Sequence, residues 1–285
     1  SNDPYVLTAG KYINAITLAD GTGVASNYQL PTLNATNAPV TITTKALTVT
    51  GSTVANKVYD GTTTASLSNG QLSGVVAADS SYVTLTQAGS FTSKDVATGI
   101  SVTANDSITG TRASNYTLTQ PTGLTANITP KDITITGLSV SKTYDSTPTA
   151  TVSGTAQLSG SVAAGAGTSS DGKWYVNDDV SVSGSATGTF NSPNVLSANT
   201  VTFSGLTLGG AQAGNYTLVA SQAATITPRT VTLSANKTYD GSNTLSGSQV
   251  TIGNTAGSQS LNYSSATSND PYVLTAGKYI NAITL

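Results

Sequence analysis

The chain has no cysteine, no histidine and no methionine, and all 13 of its acidic residues are aspartate. Without cysteine there is no disulfide scaffold. Without cysteine or histidine there is no zinc, haem or iron–sulfur site of the usual ligand sets. A Ser-His-Asp or Cys-His catalytic pair is excluded for the same reason. Charge is scarce: 11 basic residues stand against 13 acidic ones, for a net charge of −2. Such a chain lacks the basic footprint of a nucleic-acid binder. No run approaches the ~18 consecutive apolar residues of a membrane span, and no basic-then-apolar leader stands at residue 1. Good helix formers other than Ala are few, and Glu is missing.

What is present is Thr, Ser, Ala, Gly, Val and Asn. Thr and Val suit half-buried, pleated strands. An apolar share of 37% over 285 residues is low but sufficient for small cores, and the length suggests two or three domains. The composition predicts a soluble all-β chain.

The sequence repeats at two levels, and repeats are sought before motifs. Residues 1–18, SNDPYVLTAGKYINAITL, recur without change as residues 268–285. The chain therefore reads as one 267-residue period plus an overlap, cut from a longer tandem array. Within the period, a K-x-Y-D marker occurs three times: at Tyr59, Asp60 and Gly61; at Tyr144, Asp145 and Ser146; and at Tyr239, Asp240 and Gly241. A second marker, Asn-Tyr-x-Leu, carries Tyr28 with Leu30, Tyr116 with Leu118, and Tyr216 with Leu218. A third closes each unit: TITTK with Thr44, NITPK with Pro130, TITPR with Pro228. The predicted division is 1–45, the second half of a split repeat; 46–130, a complete repeat; 131–228, a complete repeat with a longer loop; and 229–285, the first half of the next.

After each closing marker apolar and polar residues alternate, as at Leu47 and Val49, Ile133 and Ile135, and Val231 and Leu233. A period of two is a strand with one buried face. Further strands are expected at 82–86, 180–183, 201–203 and 272–274. The Tyr-Asp-Gly element reads as a turn, with Asp bonding its own backbone and Gly taking positive φ; Ser146 in the Gly place makes the second turn strained or of another type. The Asn-Tyr-x-Leu element is similar to the tyrosine corner of immunoglobulin-like sandwiches, with its hydroxyl bonded to backbone upstream and the Leu inward. Sugar-stacking tyrosines and ligand aspartates are the functional alternatives at these two markers. Pro130 and Pro228 suit strand starts or edges, and no Gly/Ser spacer separates the units. The fold expected is a row of small antiparallel β-sandwich (Ig-like) domains in an elongated rod, with β-grasp-like repeats as the alternative. Strand dimensions put one period at roughly 100–120 Å.

The three markers together resemble the YDG/MBG-type repeats of large bacterial surface and secreted adhesins, many of them haemagglutinin-like exoproteins. That resemblance implies an extracellular stalk between a cell-anchored end and a distal functional region. Ser146 and Thr44 depart from its pattern.

Asp171, Asp178 and Asp179 form the densest acidic cluster, beside Trp174 and Tyr175, in the longer loop of the middle unit. Trp174 and Tyr175 could stack on a sugar; the alternative is a hairpin whose Trp caps the core. Glycosidase work needs two carboxylates at set separations, and calcium needs six to eight oxygens. Asn177, Asp178 and Asp179 could supply some of those, and Asp132 stands alone at a junction. No cofactor is expected. Lys57, Lys142 and Lys237 precede each Tyr by two and are candidates for isopeptide bonds, which intact mass would reveal; the ordinary reading is a lysine guarding a strand edge.

The function expected is a non-enzymatic stalk or fibre segment of a bacterial adhesin. Its partners would be neighbouring repeats of the same protein and, at its far end, a polysaccharide or host surface. The lack of Cys and Met suits an oxidant-exposed surface. One alternative is a filament subunit whose split domain is completed by strand donation from the next chain. Another is a glycan-binding module.

Overall fold

A computed structural model describes all 285 residues. The chain divides into two compact units: 1–131 with 163–169, and 132–162 with 170–285. It is all-β. Its only helices are 3-10 turns of three residues, so a helix-on-sheet packing of the β-grasp kind has no helix to use. No helix is long and apolar enough to cross a membrane.

In the first unit, residues 1–44 form no strand, only a 3-10 turn at Ala25–Asn27 and an isolated bridge between Tyr12 and Pro39. Regular structure begins at β1 (Lys45–Thr50), where the expected alternation buries Leu47 and Val49 and leaves Thr48 and Thr50 outside. Short strands follow: β2 (Thr53–Val54), β3 (Lys57–Val58), β4 (Thr64–Ala65), β5 (Leu67–Ser68), β6 (Gln71–Ser73), β7 (Thr84–Thr86) and β8 (Gly89–Phe91). The repeat then closes with β9 (Ala97–Ala104), β10 (Ser107–Thr109), β11 (Tyr116–Thr119) and β12 (Leu124–Thr129). These make a three-stranded sheet β11-β1-β6, a five-stranded sheet β3-β12-β9-β8-β4 and two ribbons, β10-β7 and β2-β5. Two pairings are parallel and join the ends of the repeat to its beginning. They are β1 with β11, Leu47 opposite Leu118, and β3 with β12, Thr129 opposite Val58. Leu47, Val83 and Tyr116 form one core cluster; Tyr59, Phe91, Val102 and Ile128 are buried as well.

The second unit builds the same repeat from longer strands: β13 (Lys131–Ser141), β14 (Thr149–Leu158), β15 (Ser161–Val162), β16 (Trp174–Tyr175), β17 (Ser181–Phe190), β18 (Thr200–Gly209), β19 (Tyr216–Val219) and β20 (Ser221–Ala223). Six of them form one sheet, β19-β13-β14-β17-β18-β20, and β15 pairs with β16. The four long strands each carry a glycine at positive φ in mid-strand: Gly137, Gly154, Gly184 and Gly205. Register shifts fall beside them, between Thr136 and Leu138 and between Gly184 and Thr187. An extra residue on one strand bends it and raises its twist. The first repeat breaks its strands where the second only bends them: β1 gives way to β2 at Gly51, which is also at positive φ. Phe190, Ala198, Val201, Phe203 and Ile226 are the core of the second repeat.

Residues 163–169 belong to the first unit. There Gly165 N–H donates to the Asp60 carbonyl at 2.8 Å, and Thr168 presents its carbonyl to the fully buried Lys131 Nζ at 2.9 Å. The longer loop of the middle repeat is thus partly a cover over the first repeat's Tyr-Asp-Gly turn.

The remainder of the second unit holds β21 (Thr232–Ala235), paired with β23 (Val250–Gly253), and β22 (Thr244–Leu245), which pairs with β24 (Ser265–Ser268) and through it with β25 (Ile280–Thr284). The strand expected at 272–274 is absent. Tyr272, Val273 and Leu274 lie in an exposed turn, and the strand of that segment is β25. Asp270 Oδ1 accepts the Tyr272 N–H, and Lys278 Nζ donates to the Val273 and Thr275 carbonyls. Those local bonds curl the apolar triplet into a loop.

Candidate functional site

The residues that recur are the natural candidates, so their geometry comes first. Each K-x-Y-D marker folds into the same turn. Asp60, Asp145 and Asp240 each accept, through Oδ1, the N–H two residues on, at 2.9 Å in all three cases. The lysine three residues earlier closes on that oxygen: Lys57 at 2.7 Å, Lys142 at 2.6 Å and Lys237 at 2.8 Å. Lys57 and Lys237 also donate to two backbone carbonyls each, on Thr62 and Thr64 and on Ser242 and Thr244. A ring of carboxylate and carbonyl acceptors is what an ammonium takes. These lysines are therefore the inner struts of the turn, largely buried, and not guards on a strand edge. The i, i+3 Lys–Asp spacing in all three copies was the signal for this.

The residue after the Asp is left-handed in every copy, with φ of 74° at Gly61, 71° at Ser146 and 79° at Gly241. Ser146 does not change the turn; it adopts the glycine conformation. That costs a residue with a Cβ about 1 kcal/mol or more. Ser146→Gly is expected to stabilise the second repeat by about 1 kcal/mol in urea unfolding. A loss instead would mean that the Ser146 hydroxyl bond to the Asp145 carbonyl outweighs the strain.

The Asn-Tyr-x-Leu markers also share a geometry. Ala113–Asn115 and Ala213–Asn215 are 3-10 turns that deliver Tyr116 and Tyr216 into the core. Each hydroxyl accepts a backbone N–H far upstream, from Val76 at 3.2 Å and from Tyr175 at 2.9 Å. Both bonds reach backbone about 40 residues back, whereas a tyrosine corner bonds backbone only a few residues upstream. Each hydroxyl also donates to a carboxylate, Asp79 Oδ2 at 2.7 Å and Asp178 Oδ2 at 2.5 Å. The two aspartates precede their tyrosines by 37 and 38 residues, too far for a local motif to mark them. Arg112 pairs with Asp79 and lies over the Tyr82 ring at 4.4 Å. Gln212 stands in its place in the second repeat and accepts the Asp179 N–H at 2.8 Å. Leu118 and Leu218 are half-buried behind the tyrosines, as an inward position requires. Tyr28 is different: it is exposed.

The charge states follow the geometry. The Tyr116 hydroxyl foremost, and then Arg112, hold the Asp79 carboxyl below the usual aspartate range. Burial, then the hydrogen bond to Asp79, pushes the Tyr116 phenol up. Lys142 foremost, then the Thr147 N–H, lowers Asp145 to about 2. A depressed carboxyl contributes stability that is complete above its unfolded value and is lost as pH falls through the folded one. A raised phenol contributes stability that is complete below its unfolded value and is lost above it. Melting temperature is therefore expected to fall below about pH 4 and again above about pH 10. The alkaline fall should shrink in Tyr116→Phe. That variant also leaves the Val76 N–H without its acceptor and takes the hydrogen bond from Asp79 Oδ2, while Arg112 stays paired with Oδ1, a cost of about 1–3 kcal/mol in denaturant unfolding. An unchanged midpoint would show the clamp to be incidental.

A family model described as the YDG domain matches residues 43–123 and 129–225, more than half of the chain. The chain belongs to the YDG domain family. No curated protein and no solved structure matches it. The two matched stretches are the two closed repeats, and the Tyr-Asp-Gly turn that marks the YDG domain is the lysine-braced turn described above.

The other candidate residues of these YDG domains sort by position. Pro130 is the single residue between β12 and β13, and Pro228 follows Thr227, whose carbonyl accepts the Tyr144 N–H at 2.9 Å. Trp174 is half-buried on β16. Tyr175, its neighbour, turns inward and packs its ring 6.5 Å from that of Tyr216. Tyr175 is thus a core residue and not a surface platform for a sugar. The acidic cluster separates: Asp171 accepts the Lys173 N–H, Asp178 the Tyr216 hydroxyl, and Asp179 the Ala211 N–H. No three carboxylates come together.

Proposed function

We propose that this chain is a structural spacer: a segment of the stalk or fibre of an extracellular bacterial adhesin, whose YDG domains serve as mechanical links and carry no catalysis. One observation carries the reading. In the two closed repeats the residues that repeat are turned inward: Tyr59, Tyr116 and Tyr216 are buried, Tyr144 is half-buried in the core, and Lys57 and Lys142 brace their turns. A repeat kept for a ligand would repeat its surface. This one repeats the means by which its first and last strands are joined. Strands β1 and β11, and β3 and β12, are parallel pairs that a pull on the repeat's two ends would meet in shear. The single residue between β12 and β13 suits a short-jointed series of small sandwich-like domains. Stability in such a series adds domain by domain, with nearest-neighbour terms.

Small-angle scattering of the whole chain tests the reading. A maximum dimension of roughly 100 Å or more, independent of concentration, is expected from strand rises of about 3.3 Å per residue. A globule of the dimension expected for one 285-residue compact domain would refute it.

A further inference from the structure

The chain contains one Asn-Gly pair, Asn69–Gly70. In an open chain that pair is the one most prone to lose its side-chain amide, because no Cβ on the second residue hinders attack of its nitrogen on the asparagine Cγ. Asn69 is exposed and sits in the left-handed region, with φ of 64°. With Gly70 it links β5, which pairs with β2, to β6, which pairs with β1. The pair therefore lies where solvent reaches it, inside the first closed repeat.

Both reacting groups are held by other partners. Gly70 N–H donates to Gln87 Oε1 at 2.8 Å, and Asn69 Nδ2 donates to Thr53 Oγ1, also at 2.8 Å. Gln87 is half-buried, and its Nε2 is fixed in turn by donating to Ser52 Oγ at 3.0 Å. The Gln87 amide lies close against residue 70: a Cβ there would come under 3.0 Å from its carbon, oxygen and nitrogen. Any residue but glycine would push that amide off Gly70 and Ser52. The packing that calls for glycine after Asn69 thus creates the labile pair, and the same packing occupies its nucleophile.

We propose that Asn69 is a guarded deamidation site, with Gln87 and Thr53 as its locks. The reaction they restrain is closure of a succinimide. Gly70 N bonds to Asn69 Cγ, and its proton passes through water to Nδ2. The Cγ–Nδ2 bond breaks and ammonia leaves. Water then opens the ring at either carbonyl, giving aspartate or isoaspartate. Gln87 holds the proton that must leave, and Thr53 holds the side-chain amide that must swing onto the backbone. A ring closure of this kind needs its reacting atoms brought to about 3–3.5 Å and aligned, which both bonds oppose. Opening to isoaspartate adds a carbon to the backbone between β5 and β6, so the locks protect the path of the chain as well as its charge. The inference stands apart from the spacer reading, since it concerns the covalent lifetime of one site.

Storage of the full chain in warm, mildly alkaline buffer, followed by peptide mapping by mass, tests it. Each event replaces ammonia by water and adds one mass unit at residue 69. The wild-type chain should react well below the rate of a synthetic peptide of residues 64–75. Removing one hydrogen bond, by Gln87→Ala or by Thr53→Val, should raise the rate by about 2–12-fold. Gln87→Glu keeps an oxygen for the Gly70 N–H and should stay near the wild-type rate. Hydrogen exchange separates local release from unfolding: the Gly70 N–H should exchange faster in Gln87→Ala, while the amides of β9 keep their wild-type protection. A wild-type rate equal to the peptide's, either lock variant no faster than wild type, Gln87→Glu as fast as Gln87→Ala, or acceleration that comes with loss of protection in β9 would each overturn the proposal.

Discussion

Leu47→Ala is expected to lower the unfolding transition of the first repeat by about 8–40 °C and to leave that of the second in place. Leu47 is fully buried against Val83 and Tyr116, with Leu72 and Leu118 packed on the cluster. Removing such a side chain from a core costs about 2–5 kcal/mol, part transfer and part unfilled cavity. In a domain of this size each kcal/mol shifts the midpoint by roughly 4–8 °C. The site has little room to collapse, because β1 is held on both sides, by β11 and by β6. Calorimetry of the whole chain reads the result. Two transitions, of which only the lower moves, would show the repeats to be separately cooperative, as a series of spacer domains requires. One transition moving as a whole would mean that the repeats unfold together.

Gly184→Ala is expected to be as damaging to the second repeat, at roughly 2–6 kcal/mol from backbone strain and overpacking combined. Gly184 has φ of 108°, and a Cβ there would lie 2.1 Å from the Gly205 carbonyl oxygen. That oxygen is backbone in the neighbouring strand, so no side chain can swing aside. The bulge beside it would have to open, and with it the bend of the six-stranded sheet. Gly214→Ala is the control: its Cβ meets nothing within 4 Å and its φ is not left-handed. Denaturant unfolding should place Gly214→Ala within about 1 kcal/mol of wild type. Equal effects from the two variants would remove the bulge from the account of the fold.

Much of the architecture lies in local pattern. The alternation after each closing marker marks β1, β13 and β21 as strands with one face to bury, because a two-residue period can bury only one pleated face. The Tyr-Asp-Gly turn is equally local. Its Asp bonds the N–H two residues on, and its Lys reaches the same carboxylate from three residues back. Neither bond needs a distant partner. The 18-residue repeat shows the same thing. Asp3 and Asp270 both accept the N–H of the tyrosine two residues on, and Lys11 and Lys278 both donate to carbonyls three and five residues back. The loop forms twice because the sequence that makes it occurs twice.

Other features needed the folded chain. Asp79 and Asp178 are the hydroxyl partners of Tyr116 and Tyr216, yet nothing in their surroundings marks them, since they lie nearly 40 residues away in unlike loops. Tyr175 looked like a surface aromatic beside Trp174, but strand β16 turns it inward against Tyr216. The strands expected at 180–183 and 201–203 are short; only strand pairing shows that β17 and β18 run on past Gly184 and Gly205 as continuous strands. The plainest case is again the repeated segment. Ile-Asn-Ala-Ile-Thr is strand β25 at Ile280–Thr284, where β24 sets Ala266 opposite Ile283; at 13–17 the same five residues form no strand. Bonds between near neighbours travel with a sequence. A strand exists only where another strand presents its edge, and tertiary structure alone decides that.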